Sequence, residues 1–169
     1  IREQEYRKKI LIAGNHDTFF EKGVFNPNNP TDNSVFIDPC VEYLCDSGTE
    51  FEGFKLWGSP WTKSFEGMNP KCKAFTLDTE EELAIKWSLI PTDINILITH
   101  SPIYSINDET TWGENVGSRS LFDWFIKRTN KSLKISIVGH VHESFGEIEH
   151  HQVKHINASY VNEFYKPVN

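Results

Sequence analysis

The run Ile135-Ser136-Ile137-Val138-Gly139-His140-Val141-His142 decides how this chain is read. Its first four residues are mostly β-branched, which predicts a short buried strand ended by Gly139. The two imidazoles then stand at that strand's C-terminal end. On an extended or turning backbone His140 and His142 lie on one side, so both rings can converge on a common centre. Two further stretches share the build: Ile10-Leu11-Ile12-Ala13 runs into Gly14-Asn15-His16-Asp17, and Ile94-Asn95-Ile96-Leu97-Ile98-Thr99 runs into His100. Open α/β sheets gather ligands outside the carboxyl ends of their strands. Three strand ends bearing imidazole or amide groups therefore predict a shared metal site.

Each candidate has a distinct task. Neutral imidazoles of His100, His140 and His142 suit Zn, Fe, Mn and similar ions. The Asn15 carbonyl oxygen is a hard, neutral ligand for a divalent cation that also holds water or phosphate. His16 follows too closely to bind the same ion comfortably, and is placed for a group carried by that ion. Asp17 is positioned to hydrogen-bond His16, fixing its tautomer or raising its pKa so that it acts as a general acid. Ser101 lacks a G-x-S-x-G elbow, which argues against a serine hydrolase. His150, His151 and His155 sit in or beside a hairpin turn and are expected to be solvated, while Trp57 and Trp61 are expected to pack a loop.

Composition bounds the rest. The chain has 169 residues, 38% of them hydrophobic, and a formal net charge of −7, which suits one domain with a real core, residues 1–169. No stretch approaches the ~18 continuous apolar residues that span a bilayer, and the N-terminal residues form no signal peptide. Cys40, Cys45 and Cys72 match no zinc framework, so reduced thiols and a cytoplasmic location are expected. No Lys/Arg cluster offers a phosphate-tracking face, which argues against nucleic acid as a partner.

The pattern predicts a charged helix over Arg2–Lys9, then strands over Lys9–Ala13, Val41–Cys45 and Phe54–Trp57, with a turn at Asp46-Ser47-Gly48 and a break at Gly53. Residues Asn26 to Asn33 read as a turn-rich loop. Thr79 and Glu82 form a capping box that opens a helix from about Glu80 to Leu89, with Leu83, Ala84, Trp87 and Ile90 on one face and Pro91 beyond it. Residues 103 to 117 read as a polar loop. Ser118 or Ser120 caps a helix carrying Leu121, Trp124, Phe125 and Arg128. A strand over Lys134–Val138 and a hairpin of Ser144–Glu149 with Gln152–Asn157 complete an α/β domain with a partly parallel sheet.

The blocks Gly14-Asn15-His16-Asp17, Thr99-His100 and Gly139-His140-Val141-His142 resemble the last three blocks of the calcineurin-like metallophosphoesterase signature. The whole run from Lys9 to Asn157 is similar to the metallophosphoesterase-domain-containing (MPPED-type) branch. Its echoes are Leu56-Trp57-Gly58-Ser59-Pro60-Trp61-Thr62, Lys86-Trp87-Ser88-Leu89-Ile90-Pro91, Glu143-Ser144-Phe145-Gly146 after the His block, and Ile156-Asn157-Ala158-Ser159. The resemblance implies a four-layer α/β/β/α sandwich with mixed sheets. It also implies two divalent ions, whose identity (Mn, Fe, Zn or Ni) these donors do not distinguish, hydrolysing a small phosphate ester such as a cyclic nucleotide. Carried over, Asn15, His100 and His140 hold one ion and His142 contributes to the other. His16 stabilises the transition state or protonates the leaving oxygen, and Asp17 orients it, with Asn15 and His16 also facing the substrate.

The chain departs from that pattern at its start. The family's Asp-x-His and Gly-Asp blocks belong upstream of Gly14, and none of the thirteen preceding residues supplies either. The expectation is a C-terminal portion with its first strands missing, holding one ion or none and catalytically impaired. Its sheet edges would be open to a second copy. The competing expectation is a non-catalytic, protein-binding member of the same fold.

Overall fold

The computed structural model describes residues 3–21, 40–127, 131–162 and 164–167. In chain order the elements are β1 (Ile10–Leu11), α1 (Thr18–Glu21), β2 (Glu42–Tyr43), β3 (Ser47–Phe51), β4 (Phe54–Ser59), β5 (Thr62–Lys63) and β6 (Thr76–Leu77). They continue with α2 (Glu80–Trp87), β7 (Ile96–Thr99), α3 (Arg119–Lys127), β8 (Ile135–Val138), β9 (Gly146–His150) and β10 (Val153–Asn157). Six strands make a mixed sheet in the order β3-β4-β7-β8-β10-β9. Its four inner strands run parallel, with β3 and β9 added antiparallel at the edges. Pairs β1/β2 and β5/β6 are parallel two-stranded sheets. The mixed α/β architecture expected from the alternating pattern is present.

The parallel register carries Trp57, Leu97, Ser136 and His155 side by side on one face. Helices α2 and α3 cover that face through Leu83, Trp87, Leu121 and Phe125, all buried with Leu97 and Val153 in one cluster. At about 25 cal/mol per Å2, each such side chain contributes roughly 1.5–3 kcal/mol by leaving water. The opposite face meets the β1/β2 layer at Gly58, where a Cβ would lie 2.4 Å from Leu44 Cβ and 2.8 Å from Ile12 Cγ2. Only a glycine lets the two layers approach so closely.

The caps explain the helix positions. Thr79 accepts from Glu82 N–H while the Glu82 carboxylate accepts from Thr79 N–H, the capping box read from sequence. Ser118 caps α3 by accepting Leu121 N–H at 3.2 Å. Its neighbour Ser120 instead donates through both N–H and Oγ to Glu80. Glu80 also accepts from Ser118 Oγ, which in turn accepts the Trp87 indole N–H at 3.0 Å. Helix α3 has no acidic residue in its own first turn, so a carboxylate of α2 takes that place.

Several expectations are corrected. Residues 3–9 are not helical. They lack an apolar stripe, and Arg7 and Lys8 pair instead with Glu52 and Glu42. Ser47 and Gly48 lie in β3 rather than a turn. The turn of that hairpin is Glu52-Gly53, both at positive φ, between the paired Phe51 and Phe54. Ala84 is exposed, because the buried face of α2 runs through Leu83 and Trp87. The 103–117 segment buries Ile103, Ile106 and Asp108 and is only partly a polar loop. His155 is buried, since alternation along β10 turns it inward with Val153 and Asn157. Arg128 and the Asn26–Asn33 stretch lie outside the described residues. Among the described residues no disulfide joins Cys40, Cys45 and Cys72, and no helix is long and apolar enough to cross a membrane.

Candidate metal and phosphate site

The carboxyl ends of β1, β7 and β8 meet, and with them the residues singled out in sequence. Asn15 is buried in the turn after β1, where Asp17 N–H donates to Gly14 O at 3.0 Å and the Asp17 carboxylate accepts Gly14 N–H at 2.8 Å. Asp17 therefore braces the turn that presents His16 through this backbone contact. The Asn15 Nδ2 donates to Cys72 O at 2.9 Å, which turns its Oδ1 toward the imidazoles. A Cβ on Gly14 would stand 2.5 Å from the His100 ring, so that residue has no room to grow.

Three atoms converge. His100 Nε2 lies 2.7 Å from Asn15 Oδ1, His140 Nδ1 lies 3.3 Å from the same oxygen, and the two ring nitrogens are 3.1 Å apart. With metal–ligand bonds of about 2.1 Å, neighbouring donors of one ion sit about 3.0–3.4 Å apart. Two of the three separations fall in that range, and the 2.7 Å one is a hydrogen-bond distance that a shared ion would lengthen by a few tenths of an ångström. His140 occupies the centre of a γ-turn, with φ at 70° and Val141 N–H donating to Gly139 O at 2.8 Å. That backbone is sparsely populated for a side-chain-bearing residue and costs on the order of 1–3 kcal/mol. Such strain is held where a ring must point one way.

Burial holds the His100 imidazole well below its usual pKa, and the nearby His140, His16 and His142 rings push the same way. His140 is pushed down to about 4, again by burial first and then by His142 and His16. Both rings are therefore neutral at physiological pH, with lone pairs available to a cation. His142 stands slightly apart: its Nδ1 donates to the Asn162 carbonyl at 3.1 Å, which leaves Nε2 for another partner. Support of this kind orients metal-binding histidines. His16 is exposed at the mouth.

These groups line a cavity of about 690 Å3 whose walls also include Lys63, Phe65, Met68, Tyr104, Val116, Arg119, Glu143 and Tyr165. Arg119 stacks over the Tyr104 ring at 3.8 Å and donates to its hydroxyl at 2.9 Å, so a cation is pinned at the rim. The 103–117 segment keeps its shape through buried Asp108, which accepts from Ser105 N–H, Gly117 N–H and Asn115 Nδ2. Sequence reading missed Tyr104, Arg119 and Tyr165. An aromatic beside a cationic residue is common on any surface, and only the fold brings them to this wall.

The donor chemistry fits one divalent ion: two neutral imidazoles and an amide oxygen face a water-accessible cavity. It does not assemble two. Among the described residues no three His, Cys, Asp or Glu side chains gather to hold an ion, and the set above reaches three donors only through Asn15.

Comparison with known proteins agrees with the geometry. The calcineurin-like phosphoesterase model matches residues 2–144. The chain belongs to that family. The human Metallophosphoesterase domain-containing protein 1 is 31% identical over 97% of this chain and 53% of its own length. A UPF0046 protein of Caenorhabditis elegans is 30% identical over 91% of this chain and 56% of its own length. The chain thus falls in the MPPED-type branch and spans about half the length of the curated relatives it matches. A solved structure with 16% identity superposes at a TM-score of 0.53 over 75% of this chain and 48% of that one, which supports the fold. Family members generally use divalent metal ions, and the family is one of phosphoesterases.

Proposed function

We propose that this chain carries the Asn-His-His half of a metal-dependent phosphoesterase centre acting on small phosphodiesters, nucleotide-like ones included. The observation that supports it most is the convergence of Asn15 Oδ1, His100 Nε2 and His140 Nδ1 within 2.7–3.3 Å of one another on a cavity wall. A divalent ion held there would set positive charge against the phosphoryl oxygens. Asn15, His100 and His140 would hold it, and His142, whose Nδ1 is engaged by the Asn162 carbonyl, would keep Nε2 for a second ion where further ligands complete that site. His16, exposed at the mouth beside them, donates a proton to the departing oxygen or stabilises charge on the phosphoryl group. Asp17 serves by bracing the Gly14–Asp17 turn. The free thiols suit a cytoplasmic setting, and the −7 charge suits a small substrate rather than a nucleic acid.

The test is hydrolysis of bis(p-nitrophenyl) phosphate with Mn2+, run on this chain and on the full-length protein. His16→Ala should lower kcat at least about a hundredfold while metal uptake by calorimetry is retained, since general acid–base catalysis contributes 10²–10⁴-fold. Activity indifferent to both His16→Ala and Asn15→Ala would end the reading. One observation favours a second one, a non-catalytic scaffold: no carboxylate joins the three donors among the described residues. Calorimetry that finds no uptake of Mn2+ or Zn2+ by the full-length protein would select it.

A further inference from the structure

The C-terminal turn adds an aromatic group to this cavity that the proposed chemistry does not use. Asn162 organises the turn: its Oδ1 accepts Phe164 N–H and Lys166 N–H, each at 3.0 Å, and its carbonyl accepts Tyr165 N–H at 2.9 Å. The same carbonyl accepts His142 Nδ1 at 3.1 Å. One oxygen thus fixes both the histidine and the tyrosine. Tyr165 is held at φ 57°, a left-handed conformation that a bulky side chain rarely adopts. Its ring stands edge-on to His142 at 5.3 Å and 90°, and to His16 at 6.3 Å and 69°. It lines the cavity and yet remains 65% exposed. A ring in T-shaped contact with two site histidines, with much of its surface open, can receive a flat group. Phe65 and Val116, also lining the cavity and exposed, give it further apolar wall.

We infer that Tyr165 is a specificity-determining residue that packs against an aromatic substituent of the phosphate ester, so that the preferred substrates are aryl or nucleoside esters rather than alkyl ones. The inference rests on the phosphate-binding reading above. Aromatic contacts are worth ~0.5–1.5 kcal/mol beyond their area, which sets the expected preference at about two- to twelvefold.

The test compares binding of phenyl phosphate and methyl phosphate by calorimetry to the full-length, metal-loaded protein, in wild type, Tyr165→Ala and Tyr165→Phe. Wild type should prefer phenyl phosphate about two- to twelvefold. Tyr165→Ala should remove most of that margin while leaving methyl phosphate affinity unchanged, and Tyr165→Phe should retain it. A merely structural tyrosine would weaken both ligands together. Equal losses on both, or a margin that survives Tyr165→Ala, overturns the inference while leaving the function reading intact. A margin that follows Tyr165 in a protein unable to hydrolyse bis(p-nitrophenyl) phosphate upholds the inference and sinks the catalytic reading. No affinity for either phosphate overturns both.

Discussion

Two groups of histidines lie at opposite ends of the central sheet, and their rings are about equally close. At the carboxyl end His100 and His140 have centroids 4.8 Å apart, and at the β9/β10 turn His150 and His151 are 4.3 Å apart. Their chemistry differs. The first pair aims ring nitrogens at each other and at the Asn15 oxygen, beside a large cavity. The second group is arranged about a hydrocarbon: Phe125 stacks on His150 at 6.3 Å and meets His151 and His155 edge-on at 6.1 and 5.2 Å. Crowded imidazoles do not make a site. Convergence of ring nitrogens and an amide oxygen on one open point does.

The sharpest break of this comparison is His140→Ala against His151→Ala. His140→Ala should cut Mn2+ or Zn2+ affinity by more than about a hundredfold, beyond the 10–100-fold typical of supporting groups alone. Equal losses in the two variants, measured by calorimetry, would erase the distinction. Next in size is Phe125→Ala, which should cost about 3–5 kcal/mol in urea unfolding, as expected for emptying a fully buried aromatic position. It should leave metal stoichiometry unchanged, because that group of rings is packing. Gly14→Ala should cost about 1–3 kcal/mol through its clash with the His100 ring and weaken metal binding with it.

Acid sharpens the contrast further. The folded pKa values of His100 and His140 are depressed, so the unfolded chain binds more protons and stability rises with pH. In chelator-treated protein this stability is complete above the ordinary imidazole value near 6.5. It is lost as pH falls, for His140 until about 4. Thermal melts of His140→Gln should show a shallower acid slope over that interval. The smallest effect belongs to His151→Ala, an exposed turn position expected to change stability by no more than about 0.5 kcal/mol.

Much of the site was legible because its signals are local. A β-branched run followed by Gly-His-x-His or Gly-Asn-His-Asp specifies strand, turn and the side chains that converge at its end within eight residues, and the Thr79/Glu82 box marks a helix start with equal economy. What escaped depends on distant partners. Ser47 and Gly48 look like turn residues until β4 supplies a strand for them to pair with. His155 looks solvated because its neighbours in sequence are polar, while the side of β10 it occupies is settled by register with β8. A near partner escaped too: the Asp17 carboxylate accepts a backbone amide, Gly14 N–H, which no side-chain pattern reveals.

The carboxylate of Glu80, shared between the start of its own helix and the start of α3, has a dynamic consequence. Releasing either helix strips three donors from a half-buried anion whose hydrogen bonds from Ser120 and Ser118 outweigh burial and keep its pKa low. Neither helix can fray at that end alone. Amide hydrogen exchange should therefore find α2 and α3 opening together as one cooperative unit, and the wall of the cavity they share should stay rigid until that unit melts.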